Sequence, residues 1–348
     1  MYHPRDTLAS DSVHGGYSVE PALRQTRISI RIVNRNHCNA RRRHGPTKVV
    51  MSRPKFVHFI FAKREEIRYA LALKTLTHEV AVAETQIEWT DATWNPVAGC
   101  SVVSAGCTNC YAIEMARRLH AMSVEKYKGL TRRSGKRTVW TGMVREDYAA
   151  LEIPLRWKKA KKIFVNSMSD LFHEAVTDAF ILKVWDVMRQ TPHHSYQILT
   201  KRPERMAALV RSKLADVLPN VWLGTSVENA EVVNRIDALR EVPAAIRFIS
   251  FEPLIGSVGE VDLTGIHWAI VGGESGRMAR PIREEWIDEI YDRCLEFDTA
   301  FFFKQWGTWG ADNKRRSKKA NGREYRGRQW DEMPKEADLQ LTTVMSAL

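Results

Sequence analysis

The sequence predicts an α/β protein in which parallel strands alternate with outer helices, as in a full or partial TIM-type barrel. The first observation is a series of six short apolar runs that each end in polar residues, at 163–167, 196–201, 221–226, 247–252, 268–274 and 300–305. The second is that amphipathic helical patterns lie between these runs, at 178–189, 203–218, 230–240 and 283–297. Strands that alternate with helices in this way are typical of a parallel sheet covered on its outside.

The residues that follow each strand indicate a functional site. In α/β barrels the carboxyl ends of the strands meet at one mouth, where catalytic residues gather. The strand ends here supply Asn166, Ser167, Ser169 and Asp170, then Thr200, Lys201 and Arg202, then Thr225, Ser226, Glu228 and Asn229, then Ser250 and Glu252, then Gly273, Glu274 and Ser275, and finally Lys304 and Gln305. Charges and amides gathered at one rim cost stability unless they bind something. We therefore expect a binding site at this mouth.

Three of the five cysteines lie within eleven residues, spaced Cys-x6-Cys-x2-Cys at Cys100, Cys107 and Cys110. In a sequence without an evident secretory or membrane segment, thiols this close are better interpreted as metal ligands than as a disulfide framework. An odd number of ligands leaves a metal centre with one open position. Cys294 falls inside a helical pattern and is interpreted as a small buried hydrophobic residue.

Several ordered motifs give the chain a resemblance to a known family. They are the segment 87–96 followed by the cysteine loop 99–111, and the segments 166–173, 199–203, 252–254, 272–275 and 303–307. From about residue 84 to residue 330 the sequence resembles a phage-protein family of unknown function, which is similar to radical SAM enzymes in its cysteine motif and predicted barrel. The spacing departs from the usual Cys-x3-Cys-x2-Cys of those enzymes, and Asn109 stands where an aromatic residue usually precedes the third cysteine.

This resemblance implies that Cys100, Cys107 and Cys110 hold a [4Fe–4S] cluster whose fourth iron binds S-adenosylmethionine (SAM). An electron from the cluster would cleave SAM to a 5′-deoxyadenosyl radical, which would take hydrogen from a substrate that the sequence does not identify. A flavodoxin- or ferredoxin-type protein would donate the electron. The residues assigned to SAM binding are Asn166, Ser167, Asp170, Gly272, Gly273 and Glu274.

Two of these assignments compete. Residues 272–274 resemble the Gly-Gly-Glu motif that holds the SAM amino group in many such enzymes, although here the motif ends a late strand instead of an early one. Asn166, Ser167 and Asp170 end an earlier strand and compete for that role.

Charged residues at the mouth are the candidates for catalysis, namely Lys201, Arg202, Glu252 and Lys304. The cations would meet the SAM carboxylate or a phosphate on the substrate. The alternative is structural, with salt bridges to Glu228 or Glu252. His173 is either a proton shuttle or a structural histidine.

Charge and composition divide the chain into three segments. Residues 1–83 form a basic extension, either a nucleic-acid-binding arm, a disordered segment or the product of a start assigned too far upstream; residues 1–80 alone carry +9 of the net charge of +12. Residues 84–312 form the predicted barrel domain, and 313–348 a basic, partly disordered segment. Because no apolar run is long enough to span a bilayer, we expect a cytoplasmic protein with no membrane partner.

Two other functions fit the sequence. In the first, His120 completes a Cys3His zinc site in a nucleic-acid-binding protein whose basic termini contact the nucleic acid. In the second, the same fold serves as a phage accessory protein without catalysis.

Overall fold

A seven-stranded parallel sheet forms the centre of the fold in the computed structural model, which describes residues 85, 87–214 and 216–335. Its strands, in spatial order, are β1 (Ala92–Trp94), β6 (Lys162–Val165), β7 (Ser195–Thr200), β8 (Val221–Ser226), β9 (Ile246–Phe251), β10 (Trp268–Gly272) and β11 (Ala300–Gln305). The six predicted strands are all present, and every pairing between neighbours is parallel. The α/β class and the parallel sheet are therefore confirmed. The seventh strand, β1, was not predicted, because three residues are too few for a recognisable pattern.

The sheet curls into a partial barrel. The Trp89 ring, just before β1, lies 5.9 Å from the Trp268 ring at the start of β10. Five strand-to-strand steps separate β1 from β10, which in a flat sheet would span roughly 24 Å. The two rings can meet only if the sheet is strongly curved. Strands β1 and β11 remain its two edges, so the barrel is open between them.

Strand side chains alternate between two hydrophobic layers. In β10, Trp268 and Ile270 face the inner layer with Trp89 and Phe248, whereas Ala269 and Val271 belong to the outer layer beneath the helices. Trp268 is fully buried and makes ring contacts within 6.0 Å with four neighbours, Trp89, Trp222, Phe248 and Phe302. This aromatic layer closes the amino end of the barrel, so space for a ligand remains at the carboxyl end.

The helices of the described residues are α1 (Tyr111–Ala121), α2 (Ile153–Arg156), α3 (Asp178–Gln190), α4 (Pro203–Lys213), α5 (Arg235–Arg240), α6 (Glu284–Glu296) and α7 (Lys318–Asn321). Helices α3, α4, α5 and α6 bury apolar residues in the outer layer of the sheet, whereas α1 packs with a small hairpin outside the sheet. Helix α3 buries Phe180, Ile181, Val184, Trp185 and Met188, the face that its periodicity predicts. The helix predicted at 203–218 ends at Lys213, and the one predicted at 230–240 is a 3-10 turn, Ala230–Val232, followed by α5.

Two small antiparallel pairs lie between β1 and β6 in the sequence. Strands β2 (Val97–Ala98) and β5 (Arg145–Glu146) pair beside the cysteine loop, and β3 (Thr131–Ser134) and β4 (Arg137–Trp140) form a hairpin. Leu130 and Trp140, at the base of the hairpin, pack with Ala112 and Ala116 of α1. The segment that carries the cysteines therefore has a small hydrophobic core of its own.

The described part of the C-terminal segment packs on the barrel. Tyr325 and Trp330 are buried in the main core, and the Phe303 amide donates to the Trp330 carbonyl at 3.0 Å. The described part of the fold therefore includes residues 313–335, which the sequence assigned to a separate segment. The predicted N-terminal extension and residues 336–348 lie outside the described residues. None of the described helices combines the length and apolar character that a membrane span requires.

Candidate functional site

A cavity of about 420 Å³ opens at the carboxyl ends of the strands. Its volume lies within the range of small-molecule sites. The sequence-predicted site residues line it with the exception of Gly272; those that do are Cys100, Cys107, Cys110, Asn166, Ser167, Asp170, Lys201, Arg202, Glu252, Gly273, Glu274 and Lys304. The mouth predicted from the polar strand ends is thus present, and it includes the cysteine loop.

The three cysteines of the loop are thiols without a disulfide partner. All three belong to one loop and line the same cavity. Burial raises the pKa of Cys100 to about 12, with a further contribution from Asp170, while Arg202 opposes the shift. Burial also raises the pKa of Cys110, and Lys201 opposes it. Each of these thiols therefore has a cation beside it that would stabilise the thiolate.

Glu228 connects the cysteine loop to the barrel by hydrogen bonds to residues 104 and 106 of the loop. This carboxylate, at the end of β8, is fully buried and accepts from the Gly106 amide at 3.0 Å and from the Ser104 hydroxyl. Arg235 donates to its other oxygen at 3.0 Å, and Lys201 lies 3.6 Å away. Burial by itself would raise the pKa of Glu228, but Lys201, Ser104 and Arg235 hold it below its ordinary value.

Glu274 fastens the other side of the loop. Its carboxylate receives two bonds from the Arg280 guanidinium, at 2.7 and 3.0 Å, and one from the Arg280 amide at 2.8 Å. The Asn109 side chain donates to it at 3.1 Å and also donates to the Met278 carbonyl. Arg280 reaches the Ala105 carbonyl as well. The Glu274 carboxylate thus accepts its hydrogen bonds from Arg280 and Asn109 of the protein. This arrangement is better suited to positioning the loop than to binding the ammonium group of a ligand.

The two glycines before Glu274 also have structural partners. A side chain at Gly272 would collide with the Glu252 carboxylate, and one at Gly273 would collide with the Trp306 carbonyl. The space beside these glycines is therefore filled by Glu252 and Trp306 of the protein itself. The sequence had suggested that a ligand would occupy it.

Asp170 and Arg202 form a buried network beneath Cys100. The Asp170 carboxylate accepts from the Phe172 and Lys201 amides, the Thr200 hydroxyl and Arg202. Arg202 donates in addition to Glu174 at 2.7 Å and to the Ser101 hydroxyl at 2.7 Å. With its acceptor positions used, Asp170 is suited to holding Arg202 in place and has little capacity left for a ligand.

His173 completes this network as a structural residue. Its Nδ1 accepts from the Ala175 amide at 3.1 Å, so Nε2 carries the proton and faces the Ser101 hydroxyl at 2.9 Å. Burial and the nearby Arg202 lower the pKa of His173. A neutral, fully bonded imidazole corresponds to the structural alternative of the sequence prediction.

Lys304 and Glu252 pair on the part of the cavity wall formed by the ends of β9 and β11, 3.0 Å apart, and both are partly exposed. Their ion pair matches the structural alternative, as does the contact between Lys201 and Glu228. The Ser250 hydroxyl donates to Glu252 at 3.3 Å. The wall therefore presents a charged pair to whatever occupies the cavity.

Two buried amide groups in the cavity lining have unmet hydrogen-bonding capacity. The Asn166 oxygen accepts from the Val97 amide at 3.1 Å, but its Nδ2 has no hydrogen-bond partner. Gln305 donates weakly to Gly273 and Ser275, and its Oε1 has no partner. Both residues are more than nine-tenths buried. Since buried polar groups are usually satisfied, this donor and this acceptor are candidates for contacts with a ligand.

Three free thiols on one loop are a donor set that an iron–sulfur cluster can use. Within the described residues, no group of three His, Cys, Asp or Glu side chains is close enough to hold one ion. Ligands of one zinc ion are about 2.3 Å from the metal and therefore close to each other. Thiolates on different irons of a cluster lie farther apart, and three free cysteines that line the same cavity are compatible with that arrangement.

The structure does not bring His120 to the cysteines. Cys110 is the N-cap of α1 and His120 lies in its last turn, ten residues away, or about 15 Å along the helix axis. His120 is also exposed. The Cys3His zinc site that we considered from the sequence is therefore wrong.

A family model described as a protein of unknown function, DUF5131, matches residues 84–334. The chain belongs to this family. The match covers the cysteine loop, the whole sheet and all but one of the described residues of the C-terminal segment. A search of curated proteins gave no match to this DUF5131 member.

Among solved structures, this DUF5131 member is similar to a spore photoproduct lyase complexed with a dinucleoside spore photoproduct, at 10% identity and a TM-score of 0.33. It is also similar to a double mutant of that lyase with bound AdoMet and the same dinucleoside, at 11% identity and a TM-score of 0.34. Each of the two alignments covers 64% of this chain and 65% of the other. The chain thus spans less than two thirds of the length of these lyases.

Several residues that build the site were not identified from the sequence. Arg280, Arg235 and Ser101 carried no recognisable signal, because nothing in their local sequence tells which distant carboxylate or cysteine they approach. Asn109 stood out as a departure from the usual cysteine motif, and the structure gives that departure a role in binding Glu274.

Proposed function

We propose that this protein is an iron–sulfur enzyme that uses SAM for radical chemistry, with Cys100, Cys107 and Cys110 holding a [4Fe–4S] cluster. The observation that carries the proposal is that three free cysteines of one loop line the same cavity as the polar strand ends. When bound, the cluster and SAM together supply a 5′-deoxyadenosyl group that takes a hydrogen atom from a substrate. The protein's own contribution is to hold, orient and shield these groups.

The charged residues at the site have two different roles in this proposal. Lys201 and Arg202 stand beside the cysteines and balance the negative charge of the thiolates. Glu228 and Glu274 position the cysteine loop through its backbone and through Asn109. The roles first assigned to Asp170, Gly272, Gly273 and Glu274 thereby change from contact with SAM to support of the site.

The contacts with SAM then fall to other residues. The Asn166 amide nitrogen and the Gln305 oxygen offer an unused donor and an unused acceptor within the cavity. Ser167 also lines the cavity and keeps its assignment. The Lys304–Glu252 pair faces the space left for substrate, and we assign to it the recognition of a charged or polar substrate group.

The setting of the enzyme follows from the same chemistry. Free thiols and an oxygen-sensitive cluster suit a reducing cytoplasm. The origin in a phage or prophage is part of this proposal through the sequence resemblance, and the substrate is not assigned.

The test is cleavage of SAM by the full-length protein after anaerobic reconstitution with iron and sulfide. We expect 5′-deoxyadenosine to form slowly when dithionite is added, since dithionite supplies the electron through the cluster and, without substrate, the buffer or the protein supplies the hydrogen atom. The Cys107→Ala variant should form none, and Cys294→Ser should match the parent. A reconstituted protein that holds its cluster but neither binds nor cleaves SAM would overturn the proposal in favour of a non-catalytic role.

A further inference from the structure

Exposed hydrophobic side chains concentrate around the cysteine loop. Of the twelve large hydrophobic side chains that are exposed in the described part of the chain, six lie in the cysteine loop, in the first turns of α1 or on segments that contact the loop. We term them the loop face: Val102, Val103, Tyr111, Met115, Met143 and Met278. Met278 is joined to the loop by the bond from Asn109 to its carbonyl, and the Met143 carbonyl packs against Gly99. Surface patches of this kind mark sites of interaction.

Positive charge surrounds the loop face. Residues 99–145 contain nine Lys or Arg and two Glu, a net charge of +7, whereas the rest of residues 81–348 carries −4. The β3–β4 hairpin presents four exposed cations, Arg132, Arg133, Lys136 and Arg137. Since the base of this hairpin packs with α1 and the cysteines, its charge belongs to the same region of the molecule.

We propose that the loop face and the basic hairpin together form the docking surface for a small acidic one-electron donor protein. This inference rests on the proposed function, because only a redox centre behind the loop needs such a donor. The cysteines are half-buried and share their loop with Val102 and Val103, so a partner seated on the loop face would lie against the segment that holds the cluster.

The composition of the surface favours a protein over a nucleic acid. An apolar centre with a charged rim is the usual anatomy of a protein interface, and methionines adapt to different partner surfaces. Nucleic-acid interfaces are more polar and make most of their hydrogen bonds to phosphate and sugar, for which exposed Val and Met offer nothing. A basic rim also accelerates encounter with an acidic partner.

The experiment measures binding of oxidised flavodoxin, a small acidic flavoprotein, to the full-length protein by calorimetry at two salt concentrations. The test variant is Arg132→Glu/Arg133→Glu. The matched control is Lys158→Glu/Lys159→Glu, which changes the net charge equally at the amino end of β6, away from the cavity. We expect binding to weaken about tenfold in the test variant and less than twofold in the control, with high salt reducing the difference.

A second measurement follows the visible absorption of the reconstituted cluster. Reduced flavodoxin should reduce the cluster more slowly in the test variant, while dithionite should reduce both variants at the same rate. Equal flavodoxin binding by the two variants would overturn the inference. It would also be overturned if the parent bound a 20-nucleotide single strand through the hairpin but did not bind flavodoxin. If the parent protein formed no cluster on reconstitution, that result would instead contradict the proposed function. The two failures can be distinguished, because the calorimetric binding measurement does not require the cluster.

Discussion

The Glu228 carboxylate accepts a hydrogen bond from the Gly106 amide at 3.0 Å, across 122 residues of sequence. A Cβ at Gly106 would lie 2.7 Å from the same carboxylate oxygen, so only glycine lets the loop approach this closely. Glu228 is also the counter-charge of Lys201 and Arg235. One buried carboxylate therefore couples the cysteine loop to the cations at the strand ends.

Replacing Glu228 with Gln should destabilise the fold. The amide keeps the shape of the side chain but removes the charge that the buried Arg235 and the partly exposed Lys201 face, and loss of one member of a buried ion pair costs about 3 kcal/mol. Urea unfolding measures this loss. Glu241→Gln is the control, because its pair with Arg211 is exposed and is worth at most about 1 kcal/mol. Equal losses in the two variants would show that Glu228 is not the anchor described here.

Glu274→Gln and Arg280→Lys should have the same defect, a loss of iron on reconstitution. Each breaks the two-pronged contact between the guanidinium and the carboxylate, which holds residues 105 and 109 of the loop. Lysine keeps the positive charge of Arg280 but cannot make the planar, bidentate contact of a guanidinium with a carboxylate. Iron content and SAM affinity, measured together, distinguish positioning from ligand contact. If Glu274→Gln kept its iron and lost only SAM binding, Glu274 would be a SAM ligand, as the sequence first suggested.

Asn166→Asp should weaken SAM binding and leave the fold intact. The aspartate oxygen can still accept from the Val97 amide, and aspartate tolerates the positive φ of 59° at this position. The unused donor in the cavity becomes an acceptor, so we expect affinity to fall by about tenfold. Equilibrium dialysis with SAM measures the change, and the thermal midpoint serves as the control. Unchanged affinity would remove Asn166 from the site.

Much of this architecture could be predicted from the sequence, because strands of a parallel sheet are buried on both faces and appear as apolar runs that end at polar residues. The runs ending near Asn166, Lys201 and Gln305 identified the mouth in this way. The contacts that hold the loop could not be predicted, since a local pattern contains no information on which segments meet. Asn109 and Glu274, 165 residues apart, are an example.

The charge around the cysteines was missed for a different reason. The +7 of residues 99–145 is masked by the acidic remainder of the domain, so a sum over residues 81–348 gives only +3. Only the fold shows that the hairpin cations lie together beside the loop.

A chain that starts at Val82 should fold and bind iron as the full chain does. The family match begins at residue 84, so residues 1–81 fall before it. The shortened chain would lose +9 of net charge, and any nucleic-acid binding through the extension would weaken and become less sensitive to salt. Iron content and a binding titration at two salt concentrations test both statements. Aggregation of the shortened chain without iron would show that the extension is required.

The most direct measurement is the iron and sulfide content of the anaerobically reconstituted protein and its cysteine variants. We predict about four iron and four sulfide per chain for the parent and for Cys294→Ser, whose thiol is buried in α6 away from the cavity. Replacing Cys100, Cys107 or Cys110 by Ala should remove the cluster while the apoprotein stays folded. Full iron content in Cys107→Ala would contradict the assignment of the three cysteines as its ligands.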